Sequence, residues 1–214
     1  MTGFRAILVR DIRLSIRQAG GAGAALTFML AFLVLVPLAI GPDQVTLSRL
    51  APGLLWLSLL LAVLLTADRM FQQDYEDGTL DLFNAVPLPL ELNCLAKALA
   101  HWLTVSLPLA VISPLLGVLL NLETPMIVPL MLAMIPGSLA LSLLAGIGGA
   151  VTAGLRRGGL LVPLLILPLY VPVLIFGLSG SSSVSAYLVL LAITLIALVV
   201  QPWASAAALR AYFR

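Results

Sequence analysis

Charged side chains interrupt this chain at few points, and the runs between them are long. No Asp, Glu, Lys or Arg occurs over 18–42, 50–67, 98–122, 124–155 or 158–209. A helix rising 1.5 Å per residue needs about 20 apolar residues to cross about 30 Å of hydrocarbon. The first four runs each suit one crossing. The last is long enough for two and divides at its most polar point, Gly180-Ser-Ser-Ser-Val-Ser185. The pattern predicts six spans, near 22–40, 51–67, 98–120, 129–153, 159–178 and 186–206, in one all-α integral membrane domain covering 1–214.

Ahead of the first span, residues 4–17 read FRAILVRDIRLSIR. At 100° per residue Arg10, Arg13 and Arg17 form one stripe, while Phe4, Ile7, Leu8, Ile12 and Leu14 spread over much of the rest. Such a helix, within 1–20, is expected to lie along the membrane interface with its arginines near anionic lipid headgroups. Asp11 falls within the apolar arc, a departure that a neighbouring arginine would relieve. The first apolar run exceeds the 7–15 residues of a signal-peptide h-region, and residues 35–42 offer a poor cleavage site, so it is expected to be a retained helix.

Composition agrees: 62% of residues are hydrophobic and 9% charged, with a mean hydropathy of +1.17. Soluble domains carry about 25% charged residues, so an ordinary soluble enzyme is excluded. Orientation follows from where the basic residues fall. With the N-terminus in the cytoplasm, ten of the 11 Lys and Arg are cytoplasmic, and Arg49 alone faces the other side. Both termini are thus expected inside, with lipid and no nucleic acid as the surrounding partner.

Energy-supplying motifs are missing. The single lysine, Lys97, has no glycine near it and cannot serve a phosphate-binding G-x-x-x-x-G-K-[ST] loop. The single Cys94 allows no internal disulfide and no cysteine-based zinc site. No acidic residue lies well inside a span, which disfavours a proton relay. An intramembrane hydrolase would need Ser179 of Gly177-Leu-Ser-Gly180 and His101 within about 3 Å. The spans place them at opposite faces, so no catalytic residue is expected. Within the spans, residues 145–154 offer small side chains at four-residue spacing (Gly146/Ala150, Ala150/Gly154) for close helix approach. Pro163, Pro168 and Pro172 suggest a kinked fifth span.

The longest non-spanning segment, 68–97, is acidic and reads DRMFQQDYEDGTLDLFNAVPLPLELNCLAK. Gly78 breaks the chain, and Thr79 can cap a short helix running to about Ala85. Leu80 and Phe83 would share one face, Pro87 and Pro89 would stop that helix, and Glu91 would begin the next. A short helix with an apolar knob and an acidic flank suits docking into a groove on a partner.

Glu76-Asp-Gly78-Thr79-Leu80-Asp81-Leu82, followed by Pro87, Pro89 and Lys97, resembles the coupling element of ABC-2 exporter permeases. A closer resemblance is to the CcmB family of haem exporter permeases. It rests on the order of Pro37-Leu-Ala-Ile-Gly41-Pro42, Arg49-Leu-Ala-Pro52-Gly53 with Trp56, Asp77-Gly78-Thr79-Leu80 and Leu88-Pro89-Leu90. Further along come Ala96-Lys97 with Ala100-His101-Trp102, Pro108 with Ser113-Pro114-Leu115, residues 155–159 with Leu167-Pro168, and Ala206-Ala-Ala-Leu-Arg210. The resemblance implies a non-catalytic permease subunit of cytochrome c maturation. ATP would be hydrolysed in a CcmA-like partner, CcmC-like and CcmD-like subunits would complete the complex, and a CcmE-like protein would act as haem chaperone. It also implies that Glu76, Asp77, Gly78, Thr79, Leu80, Asp81 and Phe83 contact the ATPase. Either haem is exported, or ATP drives release of the haem-loaded chaperone. The scarcity of axial ligands, His101 being the weak candidate, leans to the second. The alternative within transport is an ABC-2 permease for a lipid, polysaccharide or drug.

Overall fold

The computed structural model describes residues 2–18, 20–41, 43–82, 88–154 and 158–212, and among these the regular structure is helical throughout. Six helical stretches are long and apolar enough to cross a membrane, at the positions where charge-free runs predict them. This is a multi-pass all-α membrane protein. The amphipathic α1 (Thr2–Gln18) leads into α2 (Gly20–Ile40), the first spanning helix. The second, α3 (Gln44–Ala67), is continued past Asp68 by α4 (Arg69–Glu76). A turn at Asp77–Gly78 leads to the short α5 (Thr79–Leu82). The third span is α6 (Leu90–His101), a π-helical turn over Trp102–Ser106, α7 (Leu107–Leu116) and a 3₁₀ turn. The last three spans are α8 (Thr124–Thr152), α9 (Gly158–Gly180) and α10 (Val184–Tyr212).

Two features of the 68–97 segment differ from the sequence expectation. Residues 69–76 are helix rather than loop, because Met70, Phe71 and Asp74 recur on one face and bury it while Gln73, Tyr75 and Glu76 face out. The short helix begins at Thr79 itself, following Gly78 at φ +69°, so Thr79 is its first residue rather than its cap. Its expected continuation to Ala85, with Phe83, lies outside the described residues.

α8 is the central element, packed against α3, α4, α6, α7, α9 and α10. Its glycines make this possible. A Cβ on Gly146 would meet Gln201 Nε2 at 2.9 Å, one on Gly148 would collide with Ile166, and one on Gly149 would meet the Ala67 carbonyl oxygen at 2.7 Å. Three nearby glycines therefore receive α10, α9 and α3, Gly146 of the expected Gly146/Ala150 pair among them, and Ala150 is fully buried. Lipid gives helices no hydrophobic reason to associate, so backbone approach of this kind is the main source of packing. α9 passes through Pro163, Pro168 and Pro172 as one helix. α2 is peripheral, with 17% of its spanning window buried against 61% for α3 and α4.

The π turn has a local cause. Pro108 has no N–H to donate, and the turn before it is widened so that the Leu107 N–H reaches the Trp102 carbonyl five residues back. Polar side chains from His101 to Ser106 are thereby turned into the helix interfaces.

Both termini lie at the end of the bundle that carries α4 and α5. α1 runs alongside α6 in the same direction, with Gly3 near Leu88, Asp11 at Lys97 and Ser15 hydrogen-bonded to Thr104. At the other end of the chain, Arg210 pairs with Glu91 in the first turn of α6.

Candidate functional site

Four charges from three helices meet where α1, α4 and α6 converge. The Arg10 guanidinium donates to Asp11 at 2.8 Å and reaches Asp74 at 3.4 Å. The Lys97 ammonium lies 3.2 Å from Asp11 and also pairs with Asp74. It sits 5.6 Å from the centre of the Phe71 ring as well. Asp11, Asp74 and Lys97 are 8%, 8% and 7% exposed. Removing charges from water is costly unless they are paired and hydrogen-bonded. Here two acids and two bases cancel, and each acid meets both bases. Asp11 thus finds the neighbouring arginine that its place in the apolar arc requires, and a lysine besides. Arg13 and Arg17 are exposed on the outer face of α1, together with Ile16.

A cavity of about 370 Å³ opens beside this cluster, its wall including Thr66, Arg69, Gln73, Asp74, Lys97 and His101. On the cavity's inner side a chain of hydrogen bonds runs between α3, α6 and α8. The Thr66 hydroxyl donates to the Val63 carbonyl at 3.0 Å, leaving its oxygen to accept from His101 Nε2 at 2.9 Å. His101 Nδ1 is hydrogen-bonded to Ser142 at 3.2 Å, and Ser142 in turn to Ser106 at 2.6 Å. The Thr66 bond to Val63 thus places a proton on Nε2, and both ring nitrogens are engaged. Next to it the Trp102 indole N–H donates to Ser138 at 3.0 Å.

This arrangement bears on the two chemistries considered for His101. Axial ligation of haem needs a free ring nitrogen, and both are hydrogen-bonded. The pairing with Ser179 is not assembled either. A Cβ on Gly177 would touch Trp56, so this end of α9 lies at the level of Trp56. Trp56 is ten residues, or about 15 Å, along α3 from the Thr66 that holds His101. Among the described residues no group of three or more His, Cys, Asp or Glu side chains is placed to hold a metal ion.

The acidic turn joins the charge cluster directly. Glu76, Asp77 and Gly78 are exposed and Thr79 is half-buried. Leu80, expected as a knob pointing outward, is 3% exposed and belongs to the hydrophobic core. It anchors the turn from within, because a leucine on a one-turn helix has the bundle as its nearest apolar surface. The side chain of Asp81, and Phe83 altogether, lie outside what the structure describes.

Comparison with known proteins places this architecture. A family model described as CcmB protein matches residues 2–212. The chain belongs to the CcmB family. It is 51% identical to heme exporter protein B of Paracoccus denitrificans over 98% of this chain and 100% of that one. The Pseudomonas aeruginosa protein of the same name is 44% identical, over 97% and 96% of the two chains. That of Escherichia coli K12 is 37% identical over 94% of each.

Within this CcmB-family chain, sequence reasoning missed the pairing of Asp74 and Lys97 with α1 and the serines that hold His101. The available signals were a lone lysine on a largely apolar helix, which needs an acid when buried, and Ser106, Ser138 and Ser142 inside spans, where a hydroxyl needs a partner.

Proposed function

We propose that this protein is the membrane permease subunit of an ABC complex for cytochrome c maturation in the bacterial inner membrane. It is itself non-catalytic and couples ATP hydrolysis in a CcmA-like subunit to haem delivery on the periplasmic side. CcmC-like and CcmD-like subunits and a CcmE-like haem chaperone are its expected partners. Full-length similarity to proteins named heme exporter protein B carries this reading. The geometry supports a coupling role. The acidic turn at Glu76 and Asp77 stands exposed at the bundle end shared by both termini, where a cytoplasmic ATPase would meet it. Glu76, Asp77, Gly78 and Thr79 offer the contacts and Leu80 fixes the turn from inside, while Asp81 and Phe83 are the remaining contacts expected from the sequence. Arg13 and Arg17 would meet anionic headgroups.

The engagement of both His101 nitrogens supports the version in which ATP drives release of the haem-loaded chaperone, with no axial ligation by this chain. Affinity purification from native membranes, with mass spectrometry of partners and a haem absorbance spectrum, tests the proposal. An ATPase with the other maturation subunits is the expected result. An ATPase alone, without those subunits or haem, would favour a general lipid, polysaccharide or drug exporter instead. Absence of any ATPase would remove the ABC reading.

A further inference from the structure

We propose that the Arg10–Asp11–Asp74–Lys97 cluster is the joint through which movement of the acidic turn reaches the membrane-spanning helices. This rests on the ATPase-coupled reading above. Asp74 stands two residues before Glu76 on the same short helix, so α4 carries the turn as a rigid arm. That arm continues α3 past Asp68, whose backbone stays helical at φ −64° and ψ −38°. It is held to the bundle by the buried Met70 and Phe71 and by the pairing of Asp74 with Lys97 and Arg10. Any load on Glu76 or Asp77 is therefore delivered to α6 through Lys97 and to α1 through Arg10.

The chemistry of the joint suits exchange better than simple clamping. A lone buried ion pair loses its only partner when one side moves. Here Lys97 and Arg10 each keep Asp11 if Asp74 withdraws, so neither cation is stranded. The cavity wall includes Asp74 and Lys97 and provides space beside α4 for that withdrawal. Across the cavity, Thr66 and His101 begin the hydrogen-bonded chain to Ser142 and Ser106, so displacement of α6 reaches α8. Coupling of this kind travels through contiguous networks having two arrangements. A partner can bias such an element only through contacts that differ between its two states.

Buried ion pairs can often be replaced by apolar residues without loss of stability, which separates a coupling role from a structural one. In the complete complex, the double variant Asp74→Leu/Lys97→Met is expected to keep its membrane abundance and its ATPase. ATP-dependent delivery of haem to cytochrome c should fall by about tenfold or more. Lys97→Arg, which keeps the cation between Asp11 and Asp74, should retain that delivery. Delivery by the apolar variant within about twofold of wild type would overturn the proposal.

A second measurement leaves the joint intact: spin labels at the exposed Gln73 and Leu92, with the distance read in the presence and absence of ATP. A changed distance is expected, and an unchanged one would overturn the proposal even if the double variant failed to accumulate. Failure of the wild-type chain to bring down an ATPase would instead remove the reading on which the proposal rests.

Discussion

Trp56 lies so close to Gly177 that a Cβ at position 177 would sit 2.5 Å from the ring's Cη2 atom. Gly137 of α8 faces the same ring from a second side, and a Cβ there would collide with it. Trp56 is fully buried, so α3, α8 and α9 are locked together around one side chain and two bare backbones. Overpacking a tight core costs about 1–3 kcal/mol. Gly137→Ala and Gly177→Ala should each lower the thermal unfolding midpoint of the purified protein. Trp56→Phe in the Gly137→Ala background should recover part of the loss. Gly53→Ala, on the same α3 but with nothing within 4 Å of the new Cβ, should leave the midpoint unchanged or raise it.

His101 offers a test of the hydrogen-bonded chain against the haem-ligand role. His101→Gln places an amide N–H near the Nε2 position and should keep the bond to Thr66. His101→Leu removes both partners and leaves the Thr66 and Ser142 hydroxyls short of one bond each. A buried unsatisfied polar group costs about 1–3 kcal/mol. The expected order of stability is wild type, then Gln, then Leu, with the haem absorbance of the purified complex unchanged in all three. Loss of the haem band in His101→Gln with unaltered stability would restore the ligand role.

The six spans were legible because charge is so expensive in hydrocarbon that its absence alone marks them. The common side of the termini was legible from the distribution of arginines, and Arg210–Glu91 and Asp11–Lys97 place both ends beside α6. α4 was hidden because its sequence, RMFQQDYE, is polar on average, and its buried stripe is only three residues. The charge cluster was hidden for a deeper reason. Asp11 and Lys97 are 86 positions apart, and no local period relates them. The glycines of α8 signalled close packing, but which neighbour each receives depends on how three other helices are arranged around it.

At the opposite end of the bundle, Asp43 caps α3. Its carboxylate accepts from the Thr46 hydroxyl and from the Val45 N–H at 3.1 Å. The Thr46 hydroxyl, followed by the backbone N–H groups of Thr46 and Val45, holds this carboxyl below the usual carboxylate range. A depressed folded-state pKa contributes stability that is present above the unfolded value of about 3.9 and lost as pH falls through the folded one. The unfolding midpoint of Asp43→Ala should therefore sit below wild type by a constant amount at neutral pH. That gap should close only in strongly acidic solution. A gap that closes between pH 5 and 7 would contradict the assignment.

The acidic turn separates contact from anchorage by position. Glu76 and Asp77 are exposed, with Glu76 accepting from Gln72 of its own helix at 2.9 Å. Leu80 is buried. Reversing the two charges with Glu76→Lys/Asp77→Lys should leave the unfolding free energy within about 0.5 kcal/mol of wild type, as surface substitutions do. Placing like charges across an interface costs several kcal/mol, so recovery of the ATPase on purification should fall by about tenfold or more. Leu80→Ala should behave in the opposite way, destabilising the chain by about 2–5 kcal/mol as a cavity-forming substitution. In the surviving folded fraction, ATPase recovery should fall only as far as the turn loses its position. Unchanged ATPase recovery in the charge-reversed protein would remove Glu76 and Asp77 from the interface and shift attention to residues 81–87.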